Sequence, residues 1–153
     1  MKKIEVDCKV FLITDRKLEF LREKTIRVFP IESCAALFGT RDKKEIVVER
    51  IVMVPNISPK SQTKFFEADP EIFIRALMQA EGSGIKHIGF FHSHPARAVP
   101  STIPDGDVEC MKRWGDAVWL ILSMIDYQFA VFQMINSEVH RLILKVVKKE
   151  LQK

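Results

Sequence analysis

The sequence predicts an α/β (α+β) protein with a mixed central β-sheet flanked by helices. Short β-branched and aromatic runs, which are typical of strands, alternate with longer stretches of helical periodicity. Two runs, residues 85–91 and 117–125, are apolar enough for strands buried in the centre of a sheet. Hydrophobic residues make up 47% of the 153 residues, enough for one core, so we expect a single domain over residues 1–153.

In the first half of the chain, strands and helices are predicted to alternate. Asp15 is the expected N-cap of a first helix, which Pro30 ends. Asp69, followed by Pro70 at the first helical position, is the expected N-cap of a second helix. The predicted elements are a strand over 9–14, a helix over 17–29, strands over 32–39 and 45–54, and a helix from 70 to about 81.

The second half is predicted to carry a strand, a helix and then a meander. Residues 55–64 form a polar, proline-containing loop that is a candidate substrate-facing segment. A helix over 107–114 follows the loop 96–106. Turn residues separate the last three runs, which we interpret as antiparallel strands over 117–125, 128–135 and 138–147.

Charge and cysteine content exclude several classes of protein. The net charge of +4 is spread along the chain, with enrichment only in residues 145–153, so no nucleic-acid partner is expected. No apolar run is long enough to span a bilayer, and no membrane partner is expected. The three cysteines form no CxxC pair and no leader peptide is evident, which together favour a cytoplasmic location.

Two histidines at the end of the 85–91 strand are the strongest candidates for chemistry. Residues i and i+2 of a strand point the same way, so His92 and His94 project together and Ser93 points away. Two imidazoles on one face are half of a tetrahedral metal site, and an aspartate at the start of the next helix can supply a third ligand. Ser101 can donate a hydrogen bond to an oxyanion, and Glu32, beside the break at Pro30, is a candidate base.

These residues resemble the motif of the JAMM (MPN-plus) zinc metalloprotease family: a distant glutamate, His-x-His-Pro, then serine and aspartate. Here the elements are Glu32, His92-Ser93-His94-Pro95, Ser101 and a following aspartate. The resemblance runs over residues 9–147 and implies a JAMM/MPN (cytidine-deaminase-like) architecture. It also implies one Zn²⁺ ion, Glu32 as general acid and base, and Ser101 as the oxyanion partner.

The third ligand that the resemblance implies is Asp107, with Asp105 as the alternative. The family places two residues between its serine and its aspartate, whereas three separate Ser101 from Asp105 and five separate it from Asp107. Counting from His94 favours Asp105, with Thr102 at the serine position. Reading back from the helix favours Asp107 and a lengthened loop.

By resemblance, the chain is a compact archaeal or bacterial form that acts on ubiquitin-like or sulfur-carrier proteins and their conjugates. Hydrolysis after the C-terminal glycine of the modifier, by a metal-activated water, is the implied reaction. The modifier's tail could add as a strand beside residues 47–54 or the 55–66 loop. Dimerisation through an exposed strand edge and self-inhibition by residues 96–106 stay open.

Two other functions compete with hydrolysis. A non-catalytic scaffold of the MPN type would lack a working metal site, whereas this chain keeps the histidines. A zinc nucleoside or base deaminase needs a Pro-Cys-x-x-Cys pair near a His-x-Glu, and neither motif is present.

Overall fold

The computed structural model describes residues 4–59, 67–95 and 111–148. Its elements, in chain order, are β1 (Glu5–Thr14), α1 (Asp15–Val28), β2 (Cys34–Arg41), β3 (Glu45–Val54), α2 (Pro70–Gly82), β4 (Lys86–His94), β5 (Val118–Ser123), β6 (Phe129–Ile135) and β7 (Glu138–Val147). The predicted mixture of strands and helices is confirmed. Of the helix predicted over 107–114, residues 111–113 are described and helical. Within the described ranges, no helix has both the length and the apolar character to cross a membrane.

The seven strands form one mixed sheet that closes on itself in the order β1-β3-β2-β4-β5-β6-β7. The pairs β1/β3, β1/β7 and β4/β5 are parallel, and the remaining neighbours are antiparallel. The predicted meander of β5, β6 and β7 is therefore confirmed. The sheet closes where the first strand, β1, pairs with the last, β7. β2 and β4 are neighbours in the middle of the strand order.

The two helices pack on opposite faces of this sheet. Alternate residues of β2 show the division, because Ala35 packs in the same cluster as Leu18 and Leu21 of α1. Its neighbour Ala36 packs in the same cluster as Ala76 of α2. Alanines at these positions of β2 allow close packing in the centre of the sheet.

Two predicted boundaries near α1 need correction. Thr14, not Asp15, is the N-cap: its backbone is extended (φ −79°, ψ 152°) and its side chain accepts a hydrogen bond from the Lys17 amide. Asp15 instead occupies the first turn, where its carboxylate interacts favourably with the helix dipole. The strand expected from residue 32 begins at Cys34, so Glu32 lies just before β2.

Gly89 is required by the close approach of β4 and β5. A Cβ atom at this position would overlap the backbone carbonyl of Val118. We expect Gly89→Ala to destabilise the fold by about 3 kcal/mol or more, because backbone atoms cannot move aside as a side chain can. Urea unfolding monitored by circular dichroism would measure the loss.

Gly82→Ala is the matched control for that substitution. Gly82 ends α2, and an added Cβ there would have no heavy atom within 4 Å. This change should leave stability within about 1 kcal/mol of the wild type, on the stabilising side. Equal losses in the two variants would contradict the role assigned to Gly89.

His87 of β4 is expected to make stability depend on pH. Its ring lies among four aromatic rings at centroid distances of 4.6–6.0 Å: those of Phe38, Phe73, Phe90 and Trp114. Burial, with a smaller effect of Arg41, lowers the pKa of His87 from 6.5 to about 4. The unfolded chain therefore takes up this proton first as the pH falls.

The contribution of His87 to the free energy of unfolding should be fully present above pH 6.5 and should decline as the pH falls towards 4. We expect a loss of about 2 kcal/mol between pH 7 and pH 4.5, discounted for partial exposure of the ring. Urea unfolding of wild type and His87→Phe at both pH values, in a chelator, isolates this contribution. Parallel pH dependence in the two proteins would contradict it.

Candidate metal centre

The two histidines of the motif converge at the end of β4. The Nε2 atoms of His92 and His94 are 3.0 Å apart, and the side chains are 1% and 0% exposed. Both residues lie within the strand, which confirms that they share one face. The sheet thus holds two imidazole nitrogens close together in a site that excludes most water.

Glu32 joins the histidines because β2 and β4 are antiparallel neighbours. Cys34 pairs with His92, and continuing that register by two residues brings Glu32 level with His94. The Glu32 side chain is 1% exposed, and its carboxylate oxygen and the two imidazole nitrogens all lie within 4.8 Å of one another. Residues separated by 60 positions in sequence therefore form one buried cluster.

Ser93 holds the residues before β2, which include Glu32, against β4 by hydrogen bonds. The Ser33 amide donates to Ser93 Oγ at 2.8 Å, and the Ser93 amide donates to the Ser33 carbonyl at 3.0 Å. The alternation along the strand predicts only that Ser93 points away from the histidines. Its role could have been suspected on chemical grounds, because a hydroxyl in a buried strand requires a hydrogen-bond partner.

Asn56 supports the same segment from the end of β3. Its Nδ2 donates to the Glu32 carbonyl at 3.0 Å, and its Oδ1 accepts from the amides of Ser58 and Glu67 at 3.0 and 3.1 Å. From the sequence alone, Asn56 is only one of the polar residues of the predicted loop over 55–64. Asn56 connects the candidate base to both described ends of the 55–68 segment.

Cys34, next to the cluster, stays a thiol. Burial, together with the negative charge of Glu32, raises its pKa to about 12. The thiol donates to the Val54 carbonyl at 3.0 Å. A group with this pKa supplies almost no thiolate at neutral pH, and Cys34 packs in a buried apolar cluster, so it belongs to the core.

The donor set fits a zinc ion. In a tetrahedral site with Zn–N bonds of about 2.0–2.1 Å, two ligand nitrogens lie about 3.3 Å apart, close to the separation of the two Nε2 atoms. Two imidazoles and carboxylate oxygen are ligands that zinc accepts. Trp119 lies edge-on to His92, with ring centroids 6.1 Å apart, and supplies an apolar wall.

The remaining predicted site residues fall in the segment 96–110, which lies outside the described residues. They are Ser101, Asp105 and Asp107. The structure therefore brings together Glu32, His92 and His94, while the third ligand and the oxyanion partner stay predictions.

Comparison with known proteins gives a consistent result. The family described as prokaryotic homologs of the JAB domain matches residues 16–136. A protein named desampylase from Pyrococcus furiosus is 37% identical over 101 residues, which are 65% of each chain. A protein named probable TtuB-protein conjugate cleaving protease from Thermus thermophilus is 34% identical over 85 residues, 55% of this chain and 53% of that protein.

More distant relatives extend the match. A desampylase from Haloferax volcanii is 28% identical over 109 residues, 71% of this chain and 74% of that protein. The solution structure of a protein from Desulfitobacterium hafniense superposes with a TM-score of 0.78 at 22% identity, over 91% of this chain and 94% of the other. That structure supports the fold. The first two relatives are matched over just under two thirds and about half of their own lengths.

Proposed function

The chain belongs to the family of prokaryotic homologs of the JAB domain, the JAMM family, and we propose that it is a zinc-dependent isopeptidase. Its substrate would be a ubiquitin-like or sulfur-carrier protein joined through its C-terminal glycine to an amine. The observation that carries the proposal is the buried convergence of Glu32, His92 and His94. An intact cluster of this kind also disfavours the non-catalytic scaffold. The cytoplasmic location and the homodimer stay predictions.

Each residue of the cluster has a distinct role in this proposal. His92 and His94 would hold the metal, with Asp107, or alternatively Asp105, as the third ligand. A bound zinc ion supplies a Lewis acid that polarises a carbonyl and makes water more acidic. Glu32 takes the proton of the attacking water and returns it to the leaving amine, and Ser101 donates to the developing oxyanion.

The substrate class rests on the names of the relatives. Two of them are named desampylase and one a TtuB-protein conjugate cleaving protease, and all three names describe removal or cleavage of protein conjugates. The proposal transfers that class of bond to this chain. The identity of the modifier is left to experiment.

The direct test uses the zinc-loaded protein and two substrates with the same modifier. One substrate joins the terminal Gly-Gly of a ubiquitin-like protein to a lysine Nζ, and the other is a linear fusion. Mass spectrometry should find cleavage after the terminal glycine, and no cleavage by the metal-free protein. Cleavage of neither substrate, by a protein that holds zinc, would contradict the proposal.

The third ligand can be assigned by zinc content. Asp107→Ala and Asp105→Ala form a matched pair, since they remove the same group two residues apart. We expect Asp107→Ala to lose the zinc ion and Asp105→Ala to keep it. The reverse result assigns the site to Asp105, and retention of zinc by both variants would contradict an aspartate ligand in this loop.

Asn56→Asp should lower kcat while the free energy of unfolding changes little. Aspartate keeps the oxygen that accepts from Ser58 and Glu67 but cannot donate to the Glu32 carbonyl. We expect kcat to fall about tenfold with stability changed by about 1 kcal/mol, because misplacement of a base costs more than one hydrogen bond. Steady-state kinetics and urea unfolding measure the two effects. An unchanged kcat would show that Asn56 does not position Glu32.

A further inference from the structure

A groove of about 450 Å³ lies between the last turn of α1 and the end of β3, and Glu32 contributes to its lining. Its apolar lining comes from both elements and the connection after α1: Val28, Ile31, Met53 and Val54. Val28 and Ile31 are 42% and 36% exposed. The groove therefore presents apolar surface beside the candidate base.

The neighbouring strand has one edge that an extended peptide could use. β3 pairs with β2 along residues 46–54, whereas its pairing with β1 covers only residues 45–47. Over residues 48–54, no second named strand of the described chain pairs with β3. Apolar surface next to a strand edge of this length suits an extended chain better than a compact small molecule.

The positive and negative side chains of the groove lie on different segments of the chain. Lys24 and Arg27 lie three residues apart on α1 and both line the groove. The Lys24 ammonium lies 5.5 Å from the centre of the Phe20 ring, and neither cation forms an ion pair with a residue that the structure describes. Glu32 is the one carboxylate among the lining residues. The two cations of the groove thus lie on α1, whereas the carboxylate precedes β2.

Under the proposed function the extended C-terminal tail of the modifier lies in this groove, and we propose that Lys24 and Arg27 select tails with an acidic side chain upstream of the terminal glycine. The inference rests on the proposed isopeptidase function and adds the charge preference. Apolar contacts and the edge of β3 would hold any extended tail. The two cations would distinguish an acidic tail from a basic one.

Binding, measured without hydrolysis, tests the preference. Fluorescein-labelled peptides ending in Gly-Gly, with either glutamate or lysine at each of the third to sixth positions from the C-terminus, are titrated with the full-length protein at low salt. Anisotropy should show that the best glutamate peptide binds about three- to tenfold tighter than its lysine counterpart, the range expected for exposed ion pairs. The preference should shrink in 0.5 M salt.

Charge reversal on α1 provides the matched comparison. Arg27→Glu should abolish or invert the preference, whereas Arg16→Glu, the same change at the exposed first turn of α1, should leave it intact. Equal binding of glutamate and lysine peptides by the wild type would overturn the inference. So would equal effects of the two substitutions, or no binding of any peptide.

The same peptides separate this inference from the proposed function. Selective binding by a protein that cleaves no conjugate would count against the isopeptidase and leave the charge preference standing. Cleavage of conjugates with acidic and basic tails at equal rates, together with equal binding, would remove the charge preference and leave the isopeptidase intact.

Discussion

Replacement of Glu32 by glutamine should lower kcat by about 10²–10⁴ while the protein stays folded and keeps its zinc. Glutamine has nearly the same shape as glutamate but cannot take a proton from water. Glu32 is 1% exposed, so no bulk water stands ready to replace it as the base. The measurement is single-turnover cleavage of a ubiquitin-like conjugate, with zinc content determined on the same sample.

Glu45→Gln is the control, because Glu45 is exposed at the start of β3, at the opposite end of that strand from Val54, which pairs with Cys34 beside the cluster. It should cleave at the wild-type rate. The informative contrary result is a Glu32→Gln variant that loses zinc and activity together. In that case the carboxylate would be a metal ligand, and its assignment as a base would be wrong.

The histidine pair is the part of the site that the sequence predicts on physical grounds. Alternation along a strand is local, so His92 and His94 could be placed on one face from six neighbouring residues. Glu32 is different. Its place beside the histidines depends on the antiparallel register of β2 against β4 across 60 residues. The break at Pro30 made Glu32 a candidate base, but only the family resemblance linked it to the two histidines.

The supporting hydrogen bonds escaped prediction for the same reason. Ser93 and Asn56 act by holding a backbone segment that is distant in sequence, and single-sequence patterns carry no information about that pairing. Closure of the sheet by β1 and β7 is another long-range event, since the two strands lie at opposite ends of the chain. The N-cap error was local: Thr14 and Asp15 are both good caps, and the chain uses the earlier one.

Zinc should stabilise the wild-type protein and fail to stabilise His94→Gln. A ligand that binds only the folded state adds about 3–4 kcal/mol when it is present at 100–1,000 times its Kd. For a chain of this size, that corresponds to a rise in Tm of about 6–16 °C. Differential scanning calorimetry in a chelator and then in excess zinc would measure the rise, and activity should follow zinc occupancy.

His140→Gln separates loss of a ligand from loss of any histidine. His140 lies on β7, outside the cluster, and is half-buried. This variant should keep the full zinc-dependent rise in Tm, whereas His94→Gln should lose it whatever its own metal-free stability. The readout is the difference between the Tm in excess zinc and the Tm in a chelator. A loss of stability that a substitution causes in both conditions therefore cancels. A wild-type Tm that zinc does not move would show that Glu32, His92 and His94 do not form a metal site, and would turn the interpretation towards a scaffold.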